Sequence, residues 1–337
     1  MNPLEIVFPA KGRFETQSID LPTALGPLEV RGPTLCSLIS PGTELAWANG
    51  DSFPIRPGYA AVFRAEEIGP EVKDVKPGDL LLCMGPHRSY QQVLAQHTAL
   101  VPQDLTPQEA LLARLMGVSF TTLMTTAARP GDRVMVSGAG PVGFLAAQQF
   151  AIAGYEVFVV EPDESRREQA RRSGIRHVFA QMPVDDPAIA GTLALVIDCS
   201  GHEQSVLNGC AVVRPHGEVV LIGVPWRRNT ELYAHALLDL VFRKFVRLRS
   251  GWEWELPLVA KAFKWEELLE GYNNSPHGIV DGYRTALQWL AEDRVKVDEA
   301  LSVAVDPRDA HQVYRDLMER KTQALFVSFD WSRLHKR

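Results

Sequence analysis

Glycines at a fixed spacing offer the clearest chemistry in this sequence. Residues 138–143 read G-A-G-P-V-G, the G-x-G-x-x-G pattern of a turn that holds a pyrophosphate. Gly138 permits the tight turn, Gly140 lets phosphates approach the backbone, and Gly143 lets the following helix pack against the strand. Free N–H groups at the start of that helix attract anions. The residues predicted to contact a dinucleotide are Gly138, Gly140, Pro141, Val142 and Gly143.

The elements around this turn follow in the order that a dinucleotide site requires. The apolar run 134–136 predicts a buried strand, residues 144–153 predict a helix, and residues 157–160 predict a second strand. Glu161 ends the second strand, about 20 residues beyond the glycines, where an acid accepts hydrogen bonds from the adenosine ribose. A carboxylate there repels a 2′-phosphate, so NAD(H) is favoured over NADP(H). The alternative is a glycine-rich turn in an α/β protein that binds nothing.

Length, charge and cysteine pattern narrow the class of protein. A chain of 337 residues is long enough for one or two domains with a large core. The net charge of −6 gives no basic surface for nucleic acid, and no apolar run approaches the roughly 18 residues of a membrane helix. The four cysteines form no C-x-x-C pair, and the first residues lack a signal-peptide pattern. We therefore expect a cytoplasmic protein whose partner is a small molecule, not nucleic acid or membrane.

The first part of the chain has the pattern of a β-rich domain. Short apolar runs broken by Gly and Pro, such as residues 80–83, predict strands. The segment 37–44 is predicted to be a strand that leads into a Pro-Gly loop. Thr106 and Glu109 predict a capping box that starts a helix at Pro107.

From residue 118 onward, strands and helices alternate. The polar segment 164–172 predicts another helix, and beyond residue 254 the pattern is helical again. Such alternation predicts a parallel, doubly wound sheet that binds its ligand at the carboxyl ends of the strands. Further strands of this sheet are predicted at residues 193–198, at residues 218–224 and within residues 242–254.

Several segments resemble the medium-chain dehydrogenase/reductase superfamily, whose best-known members are zinc alcohol dehydrogenases. The resemblance extends over nearly the whole chain. The segments that carry it are residues 58–69, 76–79, 138–143, 198–201 and 214–217. Within the superfamily, the motif S-L-I-S-P-G-T-E at residues 37–44 is similar to the branch that holds bacteriochlorophyllide hydroxyethyl dehydrogenase.

The resemblance implies an α/β protein with two domains. A GroES-like, β-rich catalytic domain would occupy residues 1–117 and 256–337, and a Rossmann domain would occupy residues 118–255. The last part of the chain would then return to the first domain through a strand at residues 325–329. The resemblance also implies an active site in the cleft between the domains and a homodimer formed near residues 241–254.

Departures from the superfamily pattern remove the expected metal ligands. Ser40 stands where zinc-dependent relatives carry a cysteine, and Tyr59 stands where they carry a histidine. Their third ligand would fall near Gly117 or Val118. None of these residues supplies the thiolate or imidazole that tetrahedral zinc requires, and the four-cysteine structural lobe is also missing. We therefore expect no zinc at either site. A metal could still bind elsewhere, but no cluster of residues in the sequence suggests where.

Without a metal, hydrogen-bond donors must stabilise the charge that develops on a ketone oxygen, and one must deliver a proton. The resemblance places Thr43, Tyr59, Ser40 and His87 at this site, with Glu44 behind them. Either Thr43 or Tyr59 could handle the proton. The alternatives are structural: hydroxyls that only satisfy the turn backbone, a core tyrosine, and a surface-loop histidine.

The resemblance adds Arg166, near the adenosine ribose, and the pair Ser200 and Gly201 to the cofactor site. Arg166 and Arg167 carry charge that could tolerate a 2′-phosphate, so NADP(H) stays possible beside NAD(H). The resulting expectation is a zinc-independent oxidoreductase that transfers a hydride between NAD(H) and a secondary alcohol or ketone. Two alternatives stay open: an NADPH-dependent carbon–carbon double-bond reductase of the quinone-reductase type, and a nucleotide-binding protein without catalysis.

Overall fold

The structure is a computed structural model that describes residues 3–21, 24–253 and 278–335. The helical pattern that the sequence predicts just beyond residue 254 lies outside the described residues. Two compact units form, the first within residues 1–114, 280–293 and 298–337, and the second within residues 115–279 and 294–297.

Strands and helices are numbered separately along the chain. The strands are β1 (Leu4–Ala10), β2 (Arg13–Ser18), β3 (Glu29–Leu38), β4 (Ala61–Arg64), β5 (Glu67–Ile68), β6 (Leu80–Cys83), β7 (Tyr90–Leu94), β8 (Thr98–Leu100), β9 (Arg133–Ser137), β10 (Glu156–Val160), β11 (His177–Phe179), β12 (Leu193–Asp198), β13 (Val213–Leu221), β14 (Arg247–Ser250), β15 (Ser302–Val305) and β16 (Phe326–Asp330). The helices are α1 (Pro41–Ala48), α2 (Pro107–Thr125), α3 (Pro141–Ile152), α4 (Glu164–Arg172), α5 (Glu203–Val212), α6 (Ala234–Lys244), α7 (Ile279–Ala291) and α8 (Ala310–Met318).

Unit one is built on a mixed sheet of eight strands. Its main order is β15-β16-β3-β4-β6-β8, and β5 and β7 also pair with β3. The C-terminal strand β16 runs antiparallel to β3, with Ser328 opposite Leu38. The end of the chain therefore completes the sheet of unit one, as the sequence predicts. Phe8, Phe329 and Trp331 are among the fully buried side chains of its core.

The Pro-Gly loop predicted after Ser40 is instead the first turn of α1. Pro41 takes the first helical position, where its fixed φ suits the helix and its missing N–H loses no hydrogen bond. The Ser40 N–H donates to Oε1 of Glu44 at 2.8 Å. This turn places Ser40, Thr43 and Glu44 close together. The capping box at Thr106 and Glu109 does form, at the start of α2.

Within the described residues of unit two, six parallel strands form a sheet in the spatial order β11-β10-β9-β12-β13-β14. Apolar side chains cover both of its faces, as a parallel sheet requires. The predicted α/β class with a doubly wound sheet is therefore confirmed. The strand order reverses between β9 and β12, the place where sheets of this type bind ligands at their carboxyl ends.

Some elements of unit two differ from the sequence prediction. The strand predicted at residues 218–224 begins earlier, at Val213, and includes His216 with a φ of +62°. The sequence gives no clear signal for β11, because three residues are too few to show a period. Among the described helices, none is long and apolar enough to cross a membrane.

Candidate functional site

The glycine turn, predicted from the sequence to hold a pyrophosphate, joins β9 to α3. Gly138 has a φ of +91°, a conformation that glycine adopts without strain. A Cβ on Gly143 would lie 1.8 Å from the Gly138 carbonyl oxygen, whereas a Cβ on Gly140 would meet nothing within 4 Å. The turn is therefore tightly packed at Gly143 and open at Gly140. Pro141 and Val142 form the first turn of α3, where backbone N–H groups lack intrahelical partners.

Glu161 connects the glycine turn to the end of β10. Its side chain is almost fully buried. Oε2 accepts a hydrogen bond from the Ala139 N–H at 2.7 Å, and Oε1 accepts one from the Asp163 N–H at 2.9 Å. Each carboxylate oxygen has a further lone pair, so the group can still accept hydrogen bonds from a ribose.

Ser200 and Gly201 lie beside the glycine turn, on the loop that follows β12. Ser200 Oγ and the Gly201 N–H donate to the fully buried carboxylate of Asp198, at 2.6 and 3.0 Å. Burial raises the pKa of Asp198, although these hydrogen bonds act in the opposite direction. A Cβ on Gly138 would lie 3.3 Å from the Ser200 nitrogen. The structure thus brings together the loops that follow two adjacent strands.

The two arginines predicted near the ribose differ in their surroundings. Arg166 is exposed on α4, and its backbone N–H donates to Asp163 at 3.0 Å. The guanidinium of Arg167 donates to the carbonyl oxygens of Glu161, at 2.9 Å, and Pro162, at 2.6 Å. Arg167 therefore stabilises the backbone that carries Glu161.

In unit one, the predicted hydroxyl residues form a cluster. The phenol of Tyr59 donates a hydrogen bond to Ser40 Oγ, and the Thr43 hydroxyl also hydrogen-bonds with the phenol. The Tyr59 ring packs edge-on against Trp47, with 6.4 Å between ring centres. Burial raises the pKa of the Tyr59 phenol. The structure thus joins Ser40, Thr43 and Tyr59, which the sequence named as separate candidates.

His87 lies elsewhere, in the core of unit one. Its exposed fraction is 0%, so it is neither a surface-loop histidine nor a group that touches a substrate. Nδ1 lies 2.7 Å from Ser37 Oγ, and Nε2 lies 3.1 Å from Oε2 of Glu44. A Cβ on Gly58 would lie 2.6 Å from the backbone nitrogen of His87. The loop that carries His87 can therefore pack this closely only because Gly58 has no side chain. The prediction of His87 as a catalytic residue is therefore corrected.

Several residues that contact Glu44, Ser37 or Tyr59 were not identified from the sequence. The phenol of Tyr314 donates to Oε2 of Glu44 at 2.5 Å, and the Trp331 indole N–H donates to Ser37 Oγ at 2.8 Å. Burial raises the pKa of Tyr314 well above its usual value. Arg114 is 3% exposed, and its Nε–H donates to the Tyr59 carbonyl at 3.1 Å. No local pattern marks these residues, because their partners are distant in the sequence.

The donor set of the cluster does not suit zinc. Ser40, Thr43 and Tyr59 offer neutral hydroxyls, whereas zinc sites in proteins use thiolate, imidazole or carboxylate ligands. The nearby carboxylate of Glu44 already accepts hydrogen bonds from the Ser40 N–H and from Tyr314. Within residues 3–21, 24–253 and 278–335, no group of three or more His, Cys, Asp or Glu side chains is arranged to hold a metal ion.

Comparison with known proteins finds similarity to dehydrogenases and reductases. Residues 141–251 match the family described as zinc-binding dehydrogenase. The chain is 26% identical over 233 residues to "Probable D-xylulose reductase A" of Aspergillus clavatus, in a match that covers 66% of this chain and 57% of that protein. It is 27% identical over 260 residues to L-threonine 3-dehydrogenase of Thermococcus kodakarensis, covering 64% of this chain and 73% of that protein.

A solved structure extends the likeness to almost the whole chain. Galactitol-1-phosphate dehydrogenase from Escherichia coli superposes with a TM-score of 0.80 at 17% identity, covering 97% of this chain and 99% of that one. This shared fold agrees with a GroES-like unit and a Rossmann unit. Together, the matches show that this chain is similar to dehydrogenases and reductases of the zinc-binding dehydrogenase family, and that it shares their fold.

Proposed function

We propose that this protein is an oxidoreductase that transfers a hydride between NAD(H) and a secondary alcohol or ketone without using zinc. The observation that carries the proposal is the glycine turn at the end of β9, held to β10 through Glu161. A bound nicotinamide cofactor supplies the hydride. Relatives named for D-xylulose and L-threonine support a hydroxylated small molecule as the substrate class.

The choice of NAD(H) rests on the charges near the predicted ribose position. Glu161 presents a carboxylate there, and a 2′-phosphate would be repelled by it. Arg167 already binds two backbone carbonyls, which supports a structural role for its charge. Arg166 is exposed on the same helix, so NADP(H) is the alternative cofactor.

Zinc independence rests on the hydroxyl cluster of unit one. Hydroxyl donors can stabilise a developing oxyanion, which a metal ion otherwise does as a Lewis acid, and they can transfer a proton. We infer this role for Thr43 and Tyr59, because the Tyr59 phenol hydrogen-bonds with both Ser40 and Thr43. The nearer relationship to the bacteriochlorophyllide hydroxyethyl dehydrogenase branch stays a prediction from residues 37–44.

The test is a calorimetric titration of metal-analysed protein with NAD⁺, NADH, NADP⁺ and NADPH, followed by an assay on secondary alcohols, polyols and ketones. We expect NADH to bind most tightly and turnover to persist in metal-free protein. Tighter binding of NADPH, with reduction of enones only, would favour the double-bond reductase. Loss of turnover on chelation, restored by zinc, would contradict the metal-free site.

A further inference from the structure

Arg114 places a buried positive charge against the ring of Tyr59. Its guanidinium carbon lies 4.6 Å from the centre of the Tyr59 ring and 5.7 Å from the centre of the Tyr283 ring. Its Nε–H also donates to the Tyr59 carbonyl at 3.1 Å, which fixes the guanidinium relative to the residue it covers. Since arginine stays protonated in proteins, this charge is permanent.

Three groups around the Tyr59 phenol, namely Arg114, Ser40 and Thr43, stabilise its ionised form and oppose the effect of burial. In the structure the phenol donates to Ser40 Oγ and hydrogen-bonds with Thr43. Once the phenol has lost its proton, both hydroxyls can rotate and donate to its oxygen. Burial raises the pKa of Tyr59 and the charge of Glu44 adds to this, whereas Arg114, Ser40 and Thr43 act in the opposite direction.

We propose that Tyr59 is the acid–base group of this protein and that Arg114 stabilises its phenolate. The role of Tyr59 in hydride transfer rests on the proposed function. The stabilisation of its phenolate by Arg114 does not. In ketone reduction, the O–H bond of Tyr59 breaks while an O–H bond forms on the substrate oxygen. A reduced nicotinamide cofactor would supply the hydride, with its electron pair, for the new C–H bond and would itself be oxidised.

The electron pair left on the Tyr59 oxygen is then stabilised by Arg114 and by the hydroxyls of Ser40 and Thr43. Water restores the phenol proton after the reaction. In alcohol oxidation the same steps run in reverse, with the phenolate as the base. Thr43 is thus assigned as a hydrogen-bond partner of the phenol, not as the proton donor.

The first experiment measures ionisation without any turnover. Tyr59 is replaced by 3-fluorotyrosine, whose phenol is more acidic, and its ¹⁹F NMR signal is followed against pH in the otherwise unchanged protein, in R114Q and in R114K. An opposite charge within about 4–6 Å of an acid lowers its pKa by about one to three units, and the Arg114 guanidinium carbon lies 4.6 Å from the centre of the Tyr59 ring. We therefore expect the midpoint to rise by about one pH unit or more in R114Q and by less in R114K.

Identical midpoints in all three proteins would overturn the assignment of Arg114. A Thr43→Val variant with Arg114 intact provides a second arm, in case R114Q does not fold. Loss of this hydroxyl should also raise the midpoint, because one donor to the phenolate is removed. An unchanged midpoint there would contradict the assigned role of Thr43.

The second experiment applies once a substrate has been found. Tyr59→Phe should lower kcat by about 10²- to 10⁴-fold, the usual contribution of a positioned acid or base. R114Q should lower kcat by about tenfold or more, in line with a pKa change of about one unit. Installing 3-fluorotyrosine at position 59 in R114Q should recover part of this loss, and a purely structural role for Arg114 would give no recovery.

The two failures are distinguishable. If no alcohol or ketone is turned over but the midpoint rises in R114Q, the proposed function fails and the pairing of Arg114 with Tyr59 stands. If turnover is found and Tyr59→Phe keeps full activity, the proposed function stands and the acid–base role of Tyr59 fails.

Discussion

At the scale of single residues, the carboxylate of Glu161 has a structural role and a predicted role in cofactor binding. It accepts backbone hydrogen bonds from Ala139, in the glycine turn, and from Asp163, at the start of α4. The same group lies where the sequence predicts the adenosine ribose. Under the proposed function, this one side chain would both hold the turn and repel a 2′-phosphate, so that the two roles would be coupled.

Replacing Glu161 by Ala should separate NADH from NADPH binding. We expect NADH affinity to fall by at least about tenfold, since hydrogen bonds to a charged group contribute about 1.5–3 kcal/mol. NADPH should lose much less, because the repulsion of its 2′-phosphate disappears. Glu164→Ala is the matched control, as that carboxylate has a side-chain exposure of 89%. Calorimetry on both variants checks the prediction, and unchanged NADH affinity in Glu161→Ala would contradict it.

At the scale of elements, one buried hydrogen-bond network joins α1, α8, β3 and the loop that carries His87. Glu44 on α1 accepts from Tyr314 on α8 and contacts His87, whose other ring nitrogen contacts Ser37 on β3. The His87 N–H also donates to the Pro57 carbonyl at 2.9 Å, close to Tyr59 in the chain. The network therefore positions both the start of α1 and the segment that carries the phenol.

Removing one hydroxyl from this network should destabilise unit one. Tyr314→Phe deletes a donor to the buried carboxylate of Glu44, so we expect a loss of about 1.5–3 kcal/mol in the free energy of unfolding. Tyr233→Phe makes the same chemical change at a side chain that is 89% exposed, and it should cost nearly nothing. Urea denaturation of the two variants makes the comparison. Equal stability would mean that the network contributes little.

At the scale of the whole molecule, the end of the unit-two sheet has features of an interface. Among the described strands, β14 pairs only with β13, so it forms an edge of the sheet. Large apolar side chains in the preceding helix and its C-cap stay exposed, namely Leu238, Phe242 and Phe245. Exposed apolar patches beside open strand edges are typical of contact surfaces between proteins.

A homodimer formed through this region is therefore the predicted assembly. Phe242 is chosen for substitution because its side chain is 82% exposed in this region. Phe242→Asp should shift the protein towards a monomer, because it places a charge in the predicted contact. Leu100→Asp is the control, because Leu100 is 54% exposed but belongs to unit one. Light scattering after size-exclusion chromatography measures the mass of each variant. A monomeric wild type, or a dimer that persists in Phe242→Asp, would rule out this contact.

The sequence by itself determined the features that depend on neighbouring residues. The glycine turn, the capping box at Thr106 and the helix at residues 164–172 follow from local backbone preferences, and all are present in the structure. Strand–helix alternation likewise determined the parallel sheet, since each strand needs a covering helix before the next. The prediction of a loop at the Pro-Gly segment was wrong, because proline fits a tight turn and a first helical position equally well.

Only the tertiary structure decided what surrounds Tyr59. Glu44 and His87 are 43 residues apart, Tyr59 and Arg114 are 55 apart, and Glu44 and Tyr314 are 270 apart. No local period or motif links such positions, because the contacts exist only after the sheet of unit one has closed around them. The burial of His87 could not be predicted for the same physical reason. The residues that cover its side chain come from distant parts of the chain.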